Sequence, residues 1–244
     1  MTLFITSSPY IEGADRAILD PRNELVDRLR AVLPPNPRAL FVCSDPDSRD
    51  LTCRFGADTA MAFCMAGMAF SSYAILDGKN MEDARALVEN SDLIVFAGGH
   101  VPTQNAFLQE CGLRQLLEDY DGAVMGISAG SMNLANEVYV QPEEPGESSP
   151  SFARFAPGLG LTEVNILPHY QKVKDYTLDG RRLYEDITFA DSWGHSFFVL
   201  PDGSWIYQDE DELTLLGKGY MIRNGIIELL TMEGETLDLS VLLR

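Results

Sequence analysis

The sequence predicts an α/β fold: three layers, a doubly wound and mostly parallel central sheet, and a β-rich C-terminal extension. Three observations carry this expectation. Short runs that are apolar nearly throughout recur at residues 3–6, 39–43, 71–76, 93–97 and 123–125. Strands buried on both faces read this way, and parallel sheets supply such strands. Segments of helical period alternate with them, as repeated βα units require. Beyond residue 197 the helical period fades and apolar runs alternate with turn signals.

Taken in order, residues 3–6 make a strand closed by Ser7-Ser8-Pro9. Leu25, Val26, Leu29, Val32 and Leu33 fall at helical spacing over residues 23–33, and the prolines at 34, 35 and 37 end that helix. Residues 39–43 are a strand followed by a polar loop. Residues 50–68 read as a helix with small and sulfur side chains inward, and 71–76 as a third strand. Residues 81–90 form a short helix whose first turn holds Glu82 and Asp83, where the dipole favours them. A fourth strand, 93–97, ends in Gly98-Gly99-His100, and 103–120 reads as helix. The fifth strand leads to Gly126-Ile127-Ser128-Ala129-Gly130, with residues 131–135 helical behind it.

Residues 141–152, QPEEPGESSPSF, have no period and form a long acidic loop. Residues 161–167 return to strand and end at Pro168-His169-Tyr170. Residues 179–187 look helical. Residues 197–200 are a strand, Pro201-Asp202-Gly203 a turn, and 204–207 a strand. Residues 213–223 and 226–232 are β-rich, with turns at Asn224-Gly225 and Glu233-Gly234. With no clear linker or internal repeat, residues 1–244 are expected to be one domain.

The 18 basic and 37 acidic residues leave a net charge of −19. This argues against a nucleic acid or an anionic membrane as partner. No apolar stretch is long enough to span a bilayer, and the N-terminus lacks the pattern of a signal peptide. Cys43, Cys53, Cys64 and Cys111 form no CxxC pair and no zinc spacing with histidine. Cys43 and Cys64 are expected to be buried thiols in a reducing, cytoplasmic compartment. No metal or cofactor is expected: there is no phosphate-binding glycine loop and no dinucleotide fingerprint. The sequence does not fix the oligomeric state and is compatible with a homodimer.

The chemistry centres on Ser128. A G-x-S-x-G run between strand and helix is a nucleophile elbow: a sharp turn lifts the hydroxyl off the sheet end, and small neighbours let strand and helix approach. The following helix aims amides at an oxyanion. Such a serine needs a base, and the base needs an orienting acid. Of the three histidines, His169 stands at a strand end behind Pro168 and is the candidate base. His195 reads as a surface turn residue, and His100 as a residue of the pocket. Asp202, Asp191, Asp175 and Glu143 are open candidates for the acid. Gly98-Gly99 could supply backbone amides to the same oxyanion.

The order VFAGGHVPTQNAFLQ, GISAGSMNLA, ILPHY and LPDGSWI resembles the aspartyl dipeptidase (peptidase E) and cyanophycinase family of serine peptidases. The similarity runs from residue 93 to 207 and more loosely over the whole chain. It implies a flavodoxin-like, class I glutamine amidotransferase-like fold, with serine in place of the amidotransferase cysteine. It implies Ser128 as nucleophile, His169 as base and Gly99 and Ala129 as oxyanion donors, and it raises Asp202 above its rivals. The substrate implied is a short peptide or small amide. His100 replaces the family's asparagine beside the oxyanion loop. Arg181 and Arg182 lie where the family has an arginine for an aspartyl side chain. On a helix over residues 179–187, Arg182 lies next to the Leu183–Ile187 stripe and is the preferred substrate contact. Outside that reading stand an esterase or amidase with a non-peptide substrate, and a non-catalytic binding domain of the same shape.

Overall fold

The computed structural model describes residues 1–242. The parallel part of the central sheet is β1 (Thr2–Thr6), β2 (Arg38–Val42), β3 (Ser72–Leu76), β4 (Leu93–Phe96) and β5 (Ala123–Ile127). Then come an antiparallel pair, β6 (Glu137–Tyr139) with β7 (Phe155–Pro157), the two-residue β8 (Ile166–Leu167), and a small hairpin of β9 (Thr177–Leu178) and β10 (Arg181–Arg182). The remaining strands are β11 (Ser196–Val199), β12 (Trp205–Gln208), β13 (Leu213–Leu216), β14 (Gly219–Arg223), β15 (Ile226–Thr231) and β16 (Thr236–Asp238). The eight-stranded sheet runs β16-β13-β12-β1-β5-β4-β2-β3, with β12, β13 and β16 antiparallel. Its parallel part, read 3-2-4-5-1, is the flavodoxin-like order with the N-terminal strand in last place.

The period of two in each strand sorts side chains onto two faces. Leu3, Ile5, Leu40, Val42, Ile94, Phe96 and Val124 enter one core, which also holds residues of α3 (Ala84–Glu89), α4 (Val101–Glu110), α5 (Leu113–Leu116) and α6 (Ala129–Met132). Phe4, Ala39, Phe41, Leu93, Val95, Ala123 and Met125 enter the other, against α1 (Leu25–Val32) and α2 (Arg49–Met65). Apolar positions on both faces explain why these strands read as unbroken runs. A second sheet, β15-β14-β11-β8, adds Ile166, Leu167, Phe198 and Ile222 to the first core. The β-rich C-terminal region therefore extends the main sheet and builds this second one. Its β14–β15 turn, Asn224-Gly225, has φ of 51° and 79°, as a tight two-residue hairpin demands.

Four expectations need correction. Residues 179–187 are not one helix. Asp179 and Gly180 have φ of 51° and 79° and close the β9–β10 hairpin, and only Leu183–Thr188 coil, as a wide π-type turn before α8 (Phe189–Asp191). The Asp-Gly pair was the overlooked signal. Residues 103–120 are broken at Gly112, whose φ of 63° separates α4 from α5. The strand over 161–167 shrinks to Ile166–Leu167, because the Thr162 hydroxyl takes the Val164 amide and turns the chain locally. Cys43 is buried, but Cys64 is exposed on α2, and so are Met61 and Met65, so the sulfur side chains of that helix do not face inward as expected.

Candidate active site

The elbow is built by close packing. Ser128 follows β5 with φ 52° and ψ −114°, outside the helical region, and α6 starts at the next residue. A Cβ on Gly126 would lie 2.5 Å from the Ser131 Cα, and one on Gly130 would overlap the Phe96 carbonyl, so neither position admits a side chain. β1 locks the turn. The Thr6 hydroxyl donates to the Gly126 carbonyl at 2.7 Å, the Ser131 hydroxyl to the Thr6 carbonyl at 2.8 Å, and the Ser128 amide to that carbonyl at 3.1 Å. A strained nucleophile conformation persists when its surroundings over-determine it in this way.

His169 and Asp202 arrive from the second sheet. β8 and β11 are parallel and in register, Ile166 with Phe198 and Leu167 with Val199, so the segments leaving them emerge side by side. The Leu200 amide donates to the Leu167 carbonyl at 2.9 Å. His169 takes a left-handed conformation, φ 58°, where the chain turns into α7 (Tyr170–Val173). Its Nε2 is 2.8 Å from the Ser128 Oγ, and its Nδ1 is 2.6 Å from the Asp202 Oδ1. The Asp202 side chain is only 4% exposed, whereas that of His169 is 31% exposed and opens to the cleft. Burial raises the Asp202 pKa, but the His169 bond and charge, Lys172 and Ser7 outweigh it and hold the carboxyl well below its ordinary value.

The supporting groups are Ser7, Gln171 and Lys172. The Ser7 hydroxyl donates to the Asp202 Oδ1 at 2.8 Å, the Lys172 Nζ lies 2.7 Å from Oδ2, and the Asp202 amide donates to the Gln171 side chain at 3.0 Å. None of the three was among the candidates. Ser7 stands at the carboxyl end of β1, beside β5, where ligands of such sheets bind, and that position was a usable signal. Lys172 and Gln171 become visible only once α7 is known to turn back over Asp202.

The structure brings Ser128, His169, Asp202, Gly99 and Ala129 together. The amides of Gly99 and Ala129 have no hydrogen-bond partner among the described residues. Gly99 must be glycine here, since a Cβ would clash with the Ser44 side chain. The rivals for the acid lie elsewhere in the network. Asp191 accepts from Tyr139 at 2.9 Å and from Arg154 at 3.0 Å, and Asp175 faces Lys174 at 4.0 Å. Glu143 borders the cleft but is not bonded to His169.

His100 and Arg182 are placed otherwise than expected. The His100 ring bonds to the Thr103 hydroxyl at 2.8 Å and to the Glu147 Oε1 at 3.0 Å, while Glu147 Oε2 accepts the Glu143 and Glu144 amides. His100 thus fastens the acidic loop. Arg182 is exposed and pairs with Asp186 at 2.7 Å, and it lines neither cavity beside Ser128. Arg181 donates to the Ser148 and Asp186 carbonyls, so both arginines are held at Asp186. His100, Glu144 and Glu147 bring three potential metal donors within 4.8 Å of one another, but both Glu147 oxygens are already committed to the loop clasp. Among the described residues no helix is long and apolar enough to cross a membrane.

The nucleophile turn of the first sheet thus meets a histidine and a buried acid carried by the second. The profile of peptidase family S51 matches residues 13–216, most of the chain. The chain belongs to peptidase family S51. With that it joins the serine peptidases. A crystal structure from Listeria monocytogenes EGD-e, of a protein provisionally named peptidase E, superposes with a TM-score of 0.58 at 15% identity. The match covers 94% of this chain and 98% of that one, and it shows the shared fold. Comparison with curated proteins gave no match.

Proposed function

We propose that this S51 peptidase hydrolyses an amide bond of a short peptide through an acyl-enzyme on Ser128. One observation carries the reading: the continuous hydrogen-bond chain from the Ser128 Oγ through His169 to the buried Asp202, beside the two unpaired amides of Gly99 and Ala129. The Ser128 hydroxyl attacks the carbonyl carbon while the His169 Nε2 takes its proton. Asp202 accepts the Nδ1–H, fixes that tautomer, and stabilises the imidazolium without taking the proton. The carbonyl oxygen becomes an oxyanion and receives the Gly99 and Ala129 N–H groups, an interaction made fully only in the transition state. His169 then protonates the departing amine. Water enters by the same route in reverse, giving up a proton to His169 as it attacks the ester, and Ser128 is restored.

The cleft is divided in two at the nucleophile. One cavity of about 400 Å³ includes Val101, Met132, Val173, Tyr176 and Leu183 in its walls; a second, of about 450 Å³, is bounded by residues of β2 and α2. Both contain Ser128 and His169, so each can take one side of a scissile bond. Each is suited to a side chain or two rather than to a folded protein. The test is a fluorophosphonate probe with a panel of dipeptides. Wild type should be labelled at Ser128 and should hydrolyse at least one member, while Ser128→Ala does neither. An unlabelled, folded wild type would remove the activated serine from the reading.

A further inference from the structure

We infer that the cavity between α2 and the nucleophile is a specificity pocket for a basic side chain, lysine or arginine, next to the scissile bond. This rests on the peptidase reading and names its substrate class. Phe41 and Ile127, both buried, contribute to the apolar floor, and the rings of Tyr10 and Phe55 to the walls. The Tyr10 hydroxyl is 2.8 Å from Thr59. Its pKa is pushed up to about 12 by burial, lowered by the Thr59 bond and raised again by Asp58, so it stays a neutral wall. The two charged groups lining the pocket besides the catalytic histidine are Asp58 and Glu143. Neither carboxylate has a hydrogen bond or ion pair among the described residues, whereas Asp202 and Glu147 beside them are both paired.

The pocket matches a long cationic side chain in both its parts. The methylene stem of lysine or arginine lies well on an apolar wall, and its charged head seeks a carboxylate at the rim. A guanidinium or ammonium is also attracted to the faces of tyrosine and phenylalanine. The same acids repel an aspartyl or glutamyl side chain, so discrimination is twofold. Glu143 reinforces this. Partial removal from water raises its pKa, His100 counters the rise, and Glu147 and Glu144 add to it. A cation arriving beside Glu143 relieves that repulsion. Among the described residues no lysine or arginine lines either cavity.

The experiment uses the full chain and two readouts. In the first, dipeptides Xaa-Ala and Ala-Xaa, with Xaa arginine, lysine, leucine or aspartate, are compared by kcat/KM. At one of the two positions arginine or lysine should exceed aspartate by about a hundredfold and leucine by about tenfold. Asp58→Asn and Glu143→Gln should each reduce the arginine-to-leucine ratio severalfold. A preference for aspartate, equal rates, or a ratio untouched by both variants overturns the inference. In the second, argininamide, leucinamide and aspartic acid diamide are titrated calorimetrically into Ser128→Ala, which needs no turnover. Argininamide should bind more tightly than the others and lose that advantage in the Asp58→Asn background. If it does so while no dipeptide is cleaved, the pocket stands and the peptidase reading falls. If dipeptides are cleaved without basic preference, the pocket falls alone.

Discussion

Ser7 joins His169 to Asp202 by a route outside the imidazole. Its hydroxyl donates to the Asp202 Oδ1 at 2.8 Å and accepts the backbone N–H of His169 at 2.8 Å. The same oxygen of Asp202 receives the His169 ring. One fully buried serine at the end of β1 therefore fixes both the acid's rotamer and the position of the base's backbone. Removing the hydroxyl leaves the His169 amide without its acceptor. Ser7→Ala should lower kcat about tenfold or more, with a smaller change in KM, because it loosens the geometry of the transition state rather than a substrate contact. Ser7→Thr, which keeps the hydroxyl, should recover part of the loss if its methyl group is accommodated. A loss confined to KM would contradict this positioning role.

For Ser128 the expectation is sharper. Alanine removes the nucleophile but retains the elbow, since Thr6, Ser131 and the two glycines hold the turn without the Oγ. Turnover should fall by about 10⁴ or more. The melting temperature should stay close to that of wild type, or rise slightly if a residue in this turn stores strain for function. Measuring both in one preparation separates loss of chemistry from loss of fold. Substantial residual hydrolysis by a folded Ser128→Ala protein is the result the mechanism could not survive.

The sheet and the nucleophile were legible because each leaves a local trace. Strands apolar on both faces stand out, and Gly126 and Gly130 mark where helix and strand must nearly touch. His169 was legible as a histidine at a strand end. Asp202 was not separable from Asp191, Asp175 and Glu143 by residue reading, because its pairing depends on β8 and β11 lying in register, a contact between residues more than thirty apart. Lys172 was illegible for the same reason, whereas Ser7 left a positional signal at the carboxyl end of β1 that went unread. The error over residues 179–187 was of another kind. Leu183 and Ile187 do have a helical spacing, but Asp179-Gly180 imposes a hairpin upstream of them, and turn chemistry prevailed over periodicity.

The acid can be identified by comparing conservative changes. Asp202→Asn keeps size but presents the wrong partner to the His169 Nδ1, and kcat should fall by about 10³–10⁴. Asp191→Asn should act on stability instead. Asp191 receives Tyr139 and Arg154, and weakening bonds to a charged group costs about 1–3 kcal/mol. Asp175→Asn should be nearly silent, as its carboxylate is exposed and only loosely paired. Glu143→Gln should alter substrate preference more than kcat on a neutral peptide. If Asp191→Asn or Glu143→Gln proves the most damaging to kcat, Asp202 has been misassigned.

Asp202 also predicts how stability depends on acid. Its folded pKa lies below the ordinary aspartate value of about 3.9, so the folded state favours the ionised form. Its contribution is full above that value and is lost as pH falls through it toward the folded pKa. The difference in melting temperature between wild type and Asp202→Asn should shrink as pH falls below about 4. A difference that grows on acidification has the opposite sign and would refute the depressed pKa.

The last prediction concerns Arg182, the residue that the family resemblance favours for an aspartyl side chain. Such a role demands a guanidinium free to meet a carboxylate within the cleft. Arg182 instead makes two bonds to the Asp186 carboxylate, at 3.1 and 2.7 Å, and receives that carboxylate on its own backbone amide at 2.8 Å. Asp186 responds with a pKa lowered to about 2, the Arg182 side-chain bond being the main cause. The pair is exposed, so its worth to stability is small. Arg182→Ala should therefore leave the KM ratio for Asp-Xaa over Ala-Xaa dipeptides unchanged within about twofold. It should leave the melting temperature close to that of wild type, because an exposed pair is screened by solvent. A selective rise in KM for Asp-Xaa would mean that Arg182 leaves Asp186 on substrate binding, and would restore the aspartyl specificity that the pairing argues against.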